Sequence, residues 1–118
     1  MKTILVVDDD DDIRKFMKIV LEKEGFSILE ADDGSKALDL AKENLPDLII
    51  SDVMMENVNG FMLHELLRDE KTTAGIPMIL VTGAAQRAGA WEADPSVRYL
   101  QKPVSIPDLL AAVRERMK

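Results

Sequence analysis

Short apolar runs rich in branched side chains alternate along this chain with stretches of helical period. The first run is Ile4 to Val7. After it Ile13, Phe16, Met17, Val20 and Leu21 fall at i, i+3, i+4, i+7 and i+8, which puts one stripe on a helix. Asp11 suits the N-cap of that helix, Asp12 favours its positive end, and Gly25 suits its stop. A second strand is predicted over Ser27 to Ala31, then a turn at Asp32-Asp33-Gly34. Ala37, Leu38, Ala41 and Leu45 stripe a second helix, closed by Pro46. Leu48 to Ile50 form a third strand, and a helix through Phe61, Leu63, Leu66 and Leu67 comes after Gly60. Met78 to Val81, behind Pro77, make a fourth strand, and Val97 to Gln101 a fifth. Ile106, Leu109, Leu110, Val113 and Met117 stripe the last helix.

Parallel strands need crossovers, and crossovers are usually helices, so repeated β/α units imply a parallel sheet covered on both faces. The strands lack strict apolar–polar alternation, as strands buried on both sides should. The expected fold is a doubly wound α/β domain, one domain over residues 1–118. A chain of 118 residues with 47% apolar and 31% charged side chains can bury a core without staples. It has no cysteine, which removes disulfides and thiolate metal sites and fits a cytoplasmic location. No apolar run is long enough for a bilayer span, and a signal peptide is not expected. A net charge of −7 argues against direct nucleic-acid binding, because phosphate backbones call for a basic face.

In such sheets ligands bind outside the carboxyl ends of the strands, so the residues just past each strand are informative. They are Asp8 and Asp9 after the first, Asp52 after the third, Thr82 after the fourth, and Lys102 and Pro103 after the fifth. Three carboxylates brought together repel by about 1 kcal/mol per pair in water and about 4 kcal/mol near a protein surface, so a cation should join them. An oxygen-only donor set points to Mg²⁺, with Mn²⁺ as the other choice. Lys102 supplies a second positive charge for a phosphate and Thr82 a hydrogen bond. That set describes phosphoryl transfer with Asp52 as nucleophile. No strand leads into a glycine-rich phosphate loop, which disfavours dinucleotides and P-loop nucleotides.

"ILVVDDD", "DLIISDVMM", Asn59-Gly60, "ILVTG" and "YLQKP", in this order and spacing, resemble the receiver domain of bacterial response regulators over nearly the whole chain. The resemblance implies a flavodoxin-like sheet of order 2-1-3-4-5 and transfer from the phosphohistidine of a sensor histidine kinase or phosphotransfer protein. It implies Asp52 as phosphoacceptor, Asp9 as a direct Mg²⁺ ligand, Asp8 acting on the metal mainly through water, and the backbone carbonyl of Met54 as a further ligand. Thr82 and Lys102 would hold the phosphoryl oxygens, Tyr99 would be the switch aromatic, and the Lys102–Pro103 bond would be cis. Phosphorylation would change the face made by a fourth helix within Gly83 to Arg98, the fifth strand and the last helix. A downstream protein, an output domain or a second copy in a phosphorylation-linked homodimer would read it. Self-phosphorylation and autodephosphorylation are the only reactions expected, so the chain is not expected to be an enzyme in the turnover sense, nor to bind a membrane.

Departures from the family pattern are Glu56 where proline is usual, Val104 where an aromatic is common, and the stretch Gly83 to Arg98. Gly89 and Asp94-Pro95 interrupt helical pattern in that stretch. Met54 and Ala84 occupy the two positions that tune hydrolysis of the acyl phosphate in the family. Neither side chain orients water well, so slow autodephosphorylation is expected. Asp10 stays open between cap and site. Trp91 either anchors a partner or pins its loop, His64 reads as a surface or boundary residue, and Met17, Met62, Met78 and Met117 read as core filling. Two other functions compete. A phosphorylation-independent docking domain has no need of Lys102 beside three carboxylates. An aspartyl-nucleophile phosphatase needs an acid two residues beyond the nucleophile, where Met54 stands.

Overall fold

The computed structural model describes residues 2–55, 58–83 and 97–117. Expectations for Glu56, Ala84, Trp91 and the rest of residues 84–96 fall outside them. Strands β1 (Thr3–Val7), β2 (Ser27–Ala31), β3 (Leu48–Asp52), β4 (Met78–Thr82) and β5 (Val97–Gln101) form one parallel sheet of order β2-β1-β3-β4-β5. Helices α1 (Asp11–Lys23), α2 (Gly34–Asn44), α3 (Gly60–Arg68) and α4 (Ile106–Arg116) accompany it. Among the described residues no helix is long and apolar enough to cross a membrane.

The period of two along each strand divides the continuous apolar runs between two cores. Ile4, Val6, Leu48, Ile50, Ile79 and Val81 turn to one face, where Met17 and Leu21 of α1 and Leu109, Ala112 and Val113 of α4 cover them. Leu5, Val7, Ile49, Met78 and Leu80 turn to the other, under Ala37 and Ala41 of α2 and Leu63 and Leu67 of α3. A central strand with both faces packed has no position for a charged residue until it leaves the core, and the one hydroxyl within β3, on Ser51, is buried with its hydrogen bond made to the backbone. This is why β1 and β3 carry no charged residue before their carboxyl ends and the aspartates begin there.

Four local expectations are corrected. The α1 cap is Asp10, whose carboxylate accepts from the N–H groups of Asp12 and Ile13; Asp11 is already helical and pairs with Arg14. Gly34 is not a turn residue but the first residue of α2, capped by Asp33. Its missing Cβ makes room for Val58 of the β3–α3 loop. Leu45 lies off the α2 stripe: it is the C-cap, left-handed at φ 47°, with its side chain turned outward ahead of Pro46. Met62 is 46% exposed on α3 and fills no core, whereas Met17 and Met78 are buried and Met117 packs against the first core. His64 is half-buried, at the boundary.

A candidate acidic phosphoryl-transfer site

The carboxyl ends of β1, β3, β4 and β5 bring the candidate residues together. Asp8 comes directly after β1 and is 1% exposed; Asp9, next in the loop, faces solvent. Asp52 is the last residue of β3 and is buried. One carboxylate oxygen from each of Asp8, Asp9 and Asp52 lies within 4.8 Å of the other two. Lys102, just past β5, sends Nζ to within 3.1 Å of Asp52 Oδ2 and 3.5 Å of Asp8 Oδ2. Its backbone N–H donates to the Thr82 carbonyl at 2.7 Å, which ties the start of the β5–α4 loop to the end of β4. The Lys102–Pro103 bond is cis.

Asp52 is held from two sides. Oδ2 accepts from Lys102, and Oδ1 accepts from the Met54 N–H at 3.2 Å, so the Met54 peptide lies beside the carboxylate. The Met54 side chain is 60% exposed. Behind Asp52, the buried Ser51 hydroxyl donates to the Asp52 carbonyl at 2.9 Å. Thr82 is buried at the end of β4 and directs its hydroxyl to the Gly83 carbonyl at 3.4 Å, not to Asp52. Tyr99 is half-buried on β5 opposite Leu80, packed against the second core. Val104 packs against the first core.

Burial pushes the Asp8 carboxyl above the ordinary aspartate value; the Asp52 carboxylate adds to that, while the Asp10 N–H and Lys102 oppose it. Burial by itself would lower the Lys102 ammonium, but the Asp52 and Asp8 carboxylates outweigh it and hold Lys102 above the ordinary lysine value. Asp8 Oδ2 is buried and has no hydrogen-bond partner; at 3.5 Å the approach of Lys102 is a charge contact rather than a hydrogen bond. A buried carboxylate oxygen without a donor, among three carboxylates and one ammonium, is suited to a hard cation. All the donors are oxygens, with neither imidazole nor thiolate among them, so the set fits a hard divalent ion.

One contributor went unread in the sequence. Arg14, one turn into α1, donates to the Asp8 carbonyl at 2.8 Å. Its spacing from Asp11 signals an i,i+3 pair, but nothing in the sequence aims the guanidinium at the backbone of the preceding loop.

Comparison with known proteins agrees with this geometry. The chain is 36% identical over 120 residues to the DNA-binding dual master transcriptional regulator RpaA of a Synechocystis species, covering all of this chain and half the length of that protein. It is 31% identical to the polar-differentiation response regulator DivK of Brucella ovis, over 96% of this chain and 94% of DivK. Among solved structures, the Vibrio cholerae chemotaxis protein CheY4 superposes with a TM-score of 0.88 at 27% identity, over 98% of each chain. A response regulator receiver domain protein from Clostridium thermocellum gives 0.89 at 28%, over 99% of this chain and 94% of that one. The family model of the response regulator receiver domain matches residues 4–114, and with the sheet order and the acidic strand ends it places this chain in that family.

Proposed function

We propose that this chain is the phosphoacceptor of a two-component pathway, with Asp52 taking a phosphoryl group from a phosphohistidine. The observation that carries the reading is the convergence of Asp8, Asp9 and Asp52 within 4.8 Å of one another with Lys102 3.1 Å from Asp52. A carboxylate oxygen of Asp52 attacks phosphorus. The new O–P bond forms as the N–P bond of the donor breaks, and the electron pair leaves with the imidazole nitrogen, which takes up a proton. Asp8, Asp9, Asp52 and the Met54 carbonyl would hold Mg²⁺ (or Mn²⁺), which when bound would supply positive charge to the phosphoryl oxygens and screen the carboxylates from one another.

Lys102 is already charged and already at Asp52, so it meets a phosphoryl oxygen without reorganising. Among the described residues the Thr82 hydroxyl has a weak bond to Gly83 to exchange for a phosphoryl oxygen, and that exchange is the switch. Tyr99, opposite Leu80 on the neighbouring strand, then moves against the face built from β5 and α4. A downstream protein, an output domain or a second phosphorylated copy reads that face. The donor is a sensor histidine kinase or phosphotransfer protein, and the compartment is the cytoplasm. Chemistry on the chain is limited to its own phosphorylation and dephosphorylation.

Intact-mass spectrometry after incubation with acetyl phosphate and Mg²⁺ tests this. Wild type should gain one phosphoryl group, and neither Asp52→Ala nor wild type without Mg²⁺ should. A gain retained by Asp52→Ala, or no gain by wild type with Mg²⁺ bound, would overturn the assignment.

A further inference from the structure

Asp8 is fixed at every polar group but one. Its N–H donates to the Ala31 carbonyl at 3.2 Å, its carbonyl accepts from Arg14 Nη1 at 2.8 Å, and its Oδ1 accepts from the Asp10 N–H at 2.9 Å. Only Oδ2, the oxygen nearest Lys102, has no hydrogen bond. The carbonyl matters most, because it belongs to the peptide unit that joins Asp8 to Asp9. A peptide unit is planar, so fixing its oxygen fixes the plane from which both acidic side chains depart.

Arg14 is well placed to fix it. The side chain is 16% exposed, and its planar fork has a partner on each accessible side: Nη2 meets Asp11 Oδ1 at 2.5 Å and Nε meets Glu30 Oε1 at 3.3 Å. Lys18 holds the other Glu30 oxygen at 3.4 Å. Glu30 lies on β2 and Asp11 on α1, so the guanidinium is gripped by two elements while its third direction grips the loop between β1 and α1. A lysine at this position could carry the charge but not three acceptors in one plane.

We propose that Arg14 is a positioning residue of the acidic site: through the Asp8 carbonyl it sets the orientation of Asp8 and Asp9, and with it the affinity for the divalent cation. The proposal rests on cation binding by Asp8, Asp9 and Asp52, as in the proposed function. Arg14 touches neither cation nor phosphoryl group, so its loss weakens cation binding while leaving the chemistry at saturating Mg²⁺ close to wild type.

Calorimetric Mg²⁺ titration of wild type, Arg14→Met, Arg14→Lys and Lys18→Met tests it, each at a temperature where thermal unfolding shows the variant folded. Arg14→Met should bind about tenfold or more weaker, the usual effect of losing a group that orients metal ligands. Arg14→Lys should fall between, and Lys18→Met, which removes the same charge from the same patch, should stay near wild type. Phosphorylation from acetyl phosphate at saturating Mg²⁺ should keep its rate in all four. A structural role alone would lower the melting temperature of Arg14→Met and leave its Mg²⁺ affinity unchanged, which would overturn the proposal. Equal weakening by Lys18→Met would assign the effect to charge and also overturn it. Should Arg14→Met fail to fold, Arg14→Lys decides, and wild-type affinity there counts against positioning. Absence of Mg²⁺ binding by wild type would remove the underlying reading instead, an outcome distinct from wild-type binding matched by the Arg14 variants.

Discussion

A Cβ on Gly60 would lie 2.6 Å from the backbone oxygen of Asp52 and 2.9 Å from the Cα of Val53. The first residue of α3 therefore sits directly on the backbone at the end of β3, with the Gly60 N–H donating to the Val53 carbonyl at 3.0 Å. Backbone atoms cannot move aside as a flexible side chain would. Gly60→Ala should destabilise the fold by about 1–3 kcal/mol, the usual range for overpacking. Urea denaturation measures this, and an unchanged midpoint would mean that α3 can slide off β3.

Asp10 and Asp11 separate two roles that look alike in sequence. Asp10 accepts from two N–H groups at the start of α1, and Asp11 makes an exposed pair with Arg14. Asp10→Ala should cost about 1 kcal/mol, as cap removal does, and Asp11→Ala less than about 0.5 kcal/mol. Denaturation without Mg²⁺ compares them directly. The reverse order would return the cap to Asp11.

These two residues also mark where the sequence was and was not legible. The strands, the helices and a sheet covered on both faces came from apolar periodicity, because burial on both faces leaves an unmistakable run; the strand order came only with the resemblance to receiver domains. The convergence of Asp8, Asp9, Asp52 and Lys102 came from a topological rule about strand ends. The features that escaped depend on direction rather than spacing. Periodicity cannot say which of two adjacent aspartates turns its carboxylate back to the helix end. Nor could it show that Gly34 faces Val58 rather than forming a turn, or that Arg14 reaches backward to a carbonyl. Met62 was misread for a related reason: an apolar side chain in a helical stretch fits a stripe on paper, while the turn of α3 that buries Leu63 and Leu67 turns Met62 outward.

Asp8 predicts an inverted response to substitution. Burial favours its neutral form, so the fold is most favoured with respect to this group below the ordinary aspartate range. That contribution is lost as pH rises through the raised folded-state value. At neutral pH the ionised carboxylate is a cost. Asparagine removes the charge and still offers Oδ1 to the Asp10 N–H. Without Mg²⁺, Asp8→Asn should therefore raise the urea midpoint at pH 7, and the gain should vanish as the pH falls below the aspartate range. Saturating Mg²⁺ should stabilise wild type and narrow or reverse the difference. A lower midpoint for the variant at pH 7 without Mg²⁺ would mean that the Lys102 contact outweighs burial.

Met54 predicts a long-lived phosphoryl group. Its N–H is anchored on Asp52 Oδ1, yet its side chain is largely exposed, so the residue stands beside Asp52 with no group able to align a water. Hydrolysis needs a water in line with the Asp52 O–P bond, and an amide at residue 54 would offer it both a donor and an acceptor. Met54→Asn should shorten the phosphoryl lifetime about fivefold, the rate equivalent of one hydrogen bond worth about 1 kcal/mol. Adding Ala84→Glu should shorten it further. Intact mass tracked over time, after removal of acetyl phosphate, gives the lifetime directly. A lifetime unchanged or lengthened in the double variant would mean that water reaches phosphorus without help from residue 54, and that access rather than orientation limits the rate.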